Sequence, residues 1–347
     1  MRPAPVRRAA RPADPAPTSS AAPPSAGTVM PAEWTRHAAT WMEFPVPGPL
    51  FGADGSPGLG AARAAWAGVA NSIVEYEPVF VLVPDAHRRS ARQLLAPSVR
   101  LHRAVTGSPW LRDSGPTFVH TAERTQAMIN WGRPGGDRMG WPTENPLAEA
   151  AGVGTIDSPL AGFGGGVHVD GDGTVLLTET GQFSPERNPG WTRQRVEAEL
   201  HARLGTSKTI WLPSGLTSGP PWTADRGRVD MLAAFVRPGV VVVHDQTDPT
   251  HPDYPVSRRT SELLRASRDA RGRRLVVIPL PAPAPRWVDG HLARYSYVNH
   301  YVANRVVMLG VFDDPRDVLV GQILRRVYRG RAILLFDARD IFARGGG

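Results

Sequence analysis

Short β-branched runs, each closed by a polar loop and followed by an amphipathic helical stretch, recur along this chain at a nearly constant interval, and that rhythm restricts its fold more than any other feature. Pro78–Val83 precedes AHRRSARQLL, and Thr174–Thr178 precedes WTRQRVEAELHARLG and then Thr209–Leu212. Gly239–Val243 precedes SRRTSELLRAS and Leu275–Leu280, and Arg305–Val311 precedes PRDVLVGQILRRVY and Ala332–Phe336. The last three units start about 65 residues apart, so the roughly 318 residues from Met30 onward would hold about five. A strand, a helix and a second strand lying parallel to the first form the usual crossover unit. The pattern predicts an α/β fold, either a pseudo-symmetric assembly of such units or an open doubly wound sheet.

Residues 1–29 are different in kind. They are rich in proline, alanine and arginine with no periodic apolar pattern, too little burial to offset ordering, so a disordered tail is expected ahead of one domain over 30–347. Arg7-Arg8 lacks the apolar stretch of an export signal, and no apolar run approaches a membrane span, which predicts a cytoplasmic chain without a membrane partner. The formal net charge is +8, yet the arginines that supply it are scattered and no nucleic-acid-binding motif accompanies them, so no nucleic-acid partner is expected.

Several chemistries lack their residues. The 347 residues contain no cysteine, which removes disulfides, thiolate metal sites and a cysteine nucleophile from what they can build. Gly164-Gly165-Gly166 lacks the G-x-G-x-x-G spacing and runs into the extended stretch VHVDGDGTVLLTE instead of a helix, against a phosphate cradle. Ser114 sits in R-D-S-G-P rather than a nucleophile elbow, and the histidines show no ligand spacing, so no metal site is expected.

Two phrases do suggest a site. MPAEWTRHAATW sets two tryptophans beside Glu33 and His37, and WLRDSGPTF places Trp110 three residues before Asp113; both read as loop edges lining something. A carboxylate beside an indole suits a guanidinium, since the acid takes its N–H fork while the ring covers its plane. The plainer reading pairs Arg112 with Asp113 to cap a turn ahead of Pro116.

Together with GGGVHVDGDGTVLLTE, PERNPGW, IWLPSG, VDMLAAFVRPGV, SYVNHYVAN and FDARDIFARGGG, these phrases resemble the agmatine deiminase and bacterial peptidylarginine deiminase family from Met30 onward. The resemblance implies the pentein fold, a five-bladed pseudo-symmetric α/β propeller of strand-strand-helix-strand units with a central active site. It further implies hydrolysis of a guanidinium to a ureido group plus ammonia in polyamine metabolism, no cofactor, and a homodimer. In that chemistry two carboxylates hold the guanidinium, a cysteine attacks it and a histidine carries protons.

Carried over residue by residue, the substrate-binding tryptophan and aspartates fall on Trp110, Asp113 and Asp230. The histidine position holds Arg228, a group that stays protonated and cannot cycle as acid and base. Phe163 stands where the family has a glutamate, and Arg226 and Ser108 stand at two further acidic positions. The family's cysteine position lies beyond Gly347. No catalytic residue is therefore retained, and the chain is expected to be inactive in deimination.

Three roles remain open: weak binding of a guanidino compound or polyamine by Trp110, Asp113 and Asp230; a partner subunit whose site is filled by Arg228; or an anionic metabolite drawn by Arg226 and Arg228. On a strand, Arg228 would share a face with Asp230. His168 is a further candidate as a substitute proton carrier, or a satisfied core histidine. Asn299 and Asn304 are expected to close turns or pair backbone groups.

Overall fold

The computed structural model describes residues 27–104, 108–132, 144–162, 164–183, 187–217, 227–288 and 290–345. Among them the strands form five three-stranded sheets and one short hairpin, Trp287–Val288 with His291–Leu292. In four of the sheets the first two strands are antiparallel and the third returns parallel to the second. These are Thr117–His120, Gln126–Gly132 and Gly154–Ala161; Val167–Val169, Thr174–Thr178 and Lys208–Leu212; Ala233–Arg237, Val240–Asp245 and Val276–Pro281; and Tyr301–Ala303, Val306–Val311 and Ala332–Asp337. Parallel strands need a crossover, and each return carries a helix: Glu144–Ala151, Arg193–Leu204, Tyr254–Ala266 and Arg316–Val327.

The first sheet departs from the expected strand-strand-helix-strand unit. Thr40–Glu43, Val79–Val83 and Arg100–Arg103 are all parallel, because helix Pro57–Ile73 takes the place of a hairpin turn between the first two strands. Ser56 caps that helix by accepting from Leu59 N, and Pro57 occupies its first turn, where no N–H is required.

The middle strands are covered on both faces, which is why their sequences are continuous apolar runs rather than alternating ones. Thr174–Thr178 is wholly buried, and Val240–Val243 packs with Phe235, Leu264 and Tyr297 in the largest apolar cluster. Ahead of the first strand, Thr28, which the sequence assigns to the tail, donates to the carbonyls of Ala202 and Arg203, and Val29 pairs with His120. The other end of the domain is tied to the same segment. Asn304 exchanges hydrogen bonds with the backbone N–H and C=O of His37, its own N–H donates to Glu77, and Arg331 donates to Trp34 O. That fits the expectation that Asn304 serves the backbone. Among the described residues no helix is long and apolar enough to cross a membrane.

Candidate functional site

Two tight backbone approaches build the site. Gly164–Gly166 forms a single 3-10 turn before strand Val167–Val169, and Gly165 O accepts from both Val229 N and Asp230 N at 3.0 and 3.3 Å. The stretch 227–232 is therefore a turn, not the strand expected from sequence; Leu232 N and Ala233 N both return to Val229 O. Val229 is fully buried, so its neighbours Arg228 and Asp230 converge on one side through the turn rather than through strand alternation. Gly227 lies against Gly181 so closely that a Cβ on it would sit 2.0 Å from Gly181 Cα. Thr178 fixes that approach by donating to Gly227 O and accepting from Gly181 N.

Asp113 comes from the opposite side, on the one-turn helix Leu111–Ser114, which Trp110 precedes. The Trp110 ring stacks on Phe51 and meets Trp66 edge-on at 5.5 Å, so it is a wall held by other aromatics. Arg228 lies between the carboxylates. Its Nε and Nη2 donate to Asp230 Oδ1 and Oδ2 at 3.1 and 2.6 Å, and Nη1 donates to Asp113 Oδ2. This is the bidentate fork a guanidinium makes with a carboxylate, here made by the protein itself. The Arg228 side chain is only 4% exposed, against 24% for Asp113. Burial pushes the Asp230 carboxyl above its ordinary value; Arg228 opposes that and the nearby Asp113 adds to it.

The local Arg112–Asp113 pair considered from sequence does not form, because Asp113 is engaged by Arg228. Arg112 Nη1 instead meets Glu33 Oε1 at 2.6 Å. Burial alone would raise the Glu33 carboxyl, but Arg112, His168 and His300 outweigh it and hold the group far below the ordinary carboxylate range. His168 is buried, its Nδ1 accepts from Phe235 N, and its Nε2 stands 3.8 Å from Glu33 Oε2. It is thus a core histidine whose ring proton faces Glu33. Glu33, Arg112, His168, Trp110, Asp230 and Asn299 all line one cavity of about 780 Å³. Arg226 and Phe163 lie outside the described residues.

Sequence reasoning missed two contributors, the Glu33–Arg112 pair and the backbone of Gly165. A Cβ on Gly165 would lie 2.8 Å from Asp113 Oδ1 and 2.9 Å from Arg228 Nη2. Gly165→Ala is expected to lower unfolding free energy in urea by about 1–3 kcal/mol. The loss should shrink in an Arg228→Ala background, where the crowded guanidinium is gone.

This mixed α/β fold is shared with solved deiminases: the agmatine deiminase of Enterococcus faecalis superposes with a TM-score of 0.83 at 24% identity, over 92% of this chain and 93% of that one. A Streptomyces avermitilis protein provisionally named an agmatine deiminase is 46% identical over 334 residues, 94% of this chain and 96% of the relative. The agmatine deiminase of Ectopseudomonas mendocina is 32% identical over 361 residues, 95% of each. The chain belongs to the Porphyromonas-type peptidyl-arginine deiminase family, whose model matches residues 29–347.

Proposed function

We propose that this chain is a non-hydrolytic member of its family, a binding or partner protein whose guanidinium site is filled by its own Arg228. The single observation that carries the reading is the Arg228 fork across Asp113 and Asp230, the two carboxylates that the family pattern assigns to substrate. A substrate guanidinium would have to displace a tethered one that is already oriented and desolvated. The proton carrier is also missing: a guanidinium at that position cannot take up and release protons at neutral pH. His168 does not replace it, since its Nδ1 is committed to Phe235 N and its Nε2 points to Glu33. An anionic ligand is disfavoured at the same place, because Arg228 is spent on two carboxylates.

The five sheets support a ring of five units about a central site, with the Asn304–His37 and Arg331–Trp34 contacts closing it between its first and last members. In that arrangement the turn 227–232 and the helix Leu111–Ser114 bring Asp230 and Asp113 toward the axis from different units. The test is direct. Agmatine and an arginine-containing peptide are incubated with the full chain, and ammonia and ureido product are measured. No product above the protein-free control is expected; product formed in proportion to protein overturns the reading.

A further inference from the structure

The cavity reaches well beyond the filled carboxylate pair. At about 780 Å³ it is of the size that holds a whole small molecule. Trp41, Phe80, Phe118, Tyr301, Met308 and Phe336 are among its walls, so most of a ligand would meet apolar or aromatic surface. The Glu33–Arg112 ion pair is part of its polar wall.

Each member of that pair keeps capacity to spare. A guanidinium carries five N–H donors. Arg112 uses Nη1 on Glu33 Oε1 and makes no other hydrogen bond or ion pair among the described residues, while its side chain remains 31% exposed. Glu33 is held ionised, and among the described residues its Oε2 makes no closer ion pair than that with His168 Nε2, at 3.8 Å. An acceptor and a set of donors thus stand side by side on the wall of a largely apolar chamber.

Charge decides what they would take. Glu33 and Arg112 cancel each other; Asp230, the other carboxylate on the wall, is held by two arms of the Arg228 fork, whose third arm goes to Asp113, a residue outside the wall. The remaining charged wall residues, Arg36 and Arg100, are exposed. An ion of either sign settling against the Glu33–Arg112 pair would give up its hydration without a net opposite charge from that pair to meet. A neutral group with a carbonyl oxygen next to an N–H has no such cost and matches the pair donor to acceptor.

We propose that this cavity binds an uncharged ligand with an apolar, aromatic-compatible body and a carboxamide or ureido end, its C=O accepting from Arg112 and its N–H donating to Glu33 Oε2. The assignment rests on the reading of the chain as a binding protein, and it names the ligand class. It uses Glu33 and Arg112 rather than the Asp113–Asp230 pair, so the two sites are separable.

Three probes that differ only at the polar end test it: 3-phenylpropanamide, 3-phenylpropanoate and 3-phenylpropylamine, each titrated into the full chain by calorimetry. The amide is expected to bind at least about tenfold more tightly than either ion, the discrimination of a site built around paired hydrogen bonds. Glu33→Gln leaves Arg112 uncompensated and should move the preference from the amide to the carboxylate, an inversion that a merely structural role for Glu33 would not produce. Ala151→Trp, which fills the chamber from its wall, should abolish binding of the amide. If Glu33→Gln does not fold, the wild-type series and Ala151→Trp still decide. Equal affinity for the three ends, tightest binding of an ion, or no binding of the amide overturns the proposal. Deimination of agmatine alongside amide preference would overturn the non-hydrolytic reading alone; no deimination and no amide preference would overturn this one alone.

Discussion

Replacing Arg228 by alanine is expected to destabilise the fold by about 3 kcal/mol at pH 7, because removing one member of a buried ion pair leaves the others uncompensated. The low end of the usual range applies, since Asp113 is 24% exposed and can recover some hydration. Asp230 cannot, and burial already pushes its carboxyl upward with Asp113 adding to the push. Without the guanidinium that upward shift should grow. A carboxyl whose folded pKa lies above its unfolded value stabilises the fold least at high pH, and the deficit shrinks as pH falls from the folded value toward the ordinary carboxylate range. The variant should therefore lose least relative to wild type near pH 5 and most above pH 7, read by urea unfolding at each pH. Added agmatine should restore stability to the variant in proportion to the logarithm of its concentration, about 2.7 kcal/mol at one hundred times its dissociation constant, and do nothing for wild type. A variant as stable as wild type at pH 7, or insensitive to agmatine, would show that the two aspartates are not a guanidinium site held shut by Arg228.

How much of this was legible depended on how local the signal was. The central runs Thr174–Thr178 and Arg305–Val311 announced themselves because strands covered on both faces are continuously apolar, and in the helices after them the buried residues Val196, Leu200 and Leu204, and Val320, Leu324 and Val327, stand apart from charged neighbours. The first unit showed only its later part, Pro78–Val83 with AHRRSARQLL. Its extra helix, PGLGAARAAWAGVANSI, is mostly alanine and glycine around Leu59, Trp66 and Ile73, so its buried stripe hardly contrasts with the rest of its surface. Trp110, Asp113 and Asp230 could be picked out by motif, and spacing offered an Arg228 contact with Asp230 as one of three readings; that contact forms, although through a turn and not the expected strand. The Glu33–Arg112 pair could not be foreseen, because Arg112 has an aspartate beside it in sequence. Only the position of Arg228 shows that this aspartate is taken and that Arg112 turns to Glu33. Gly165 posed a similar problem: three glycines say that backbone comes close to something, and here the something is the turn carrying Asp230.

That turn has a second support, and it predicts an acid limit to the site. Ser296 Oγ donates to Met231 O at 2.7 Å, and His244 Nδ1 lies 3.1 Å from the same hydroxyl, both residues buried. Since the Ser296 proton goes to the carbonyl, His244 Nδ1 carries the proton it donates to that hydroxyl. Burial pushes His244 down to about 4; Asp253 opposes the shift and His251 reinforces it. A histidine with a depressed folded pKa stabilises the fold fully above its unfolded value of about 6.5. As pH falls below that value the unfolded chain takes a proton the folded chain refuses, and stability drops by about 1.4 kcal/mol per pH unit until the folded pKa is reached. Wild type should therefore lose about 2 kcal/mol between pH 6.5 and 5 from this residue, with further losses from His201 and His300, which burial also lowers. His244→Gln, which keeps a donor for Ser296 but cannot titrate, should remove the His244 share and leave the others. Urea unfolding of both proteins at pH 7, 6.5, 6, 5.5 and 5 measures the difference. Parallel curves for the two would mean that His244 takes up its proton in the folded chain as readily as in the unfolded one, and that it sets no acid limit.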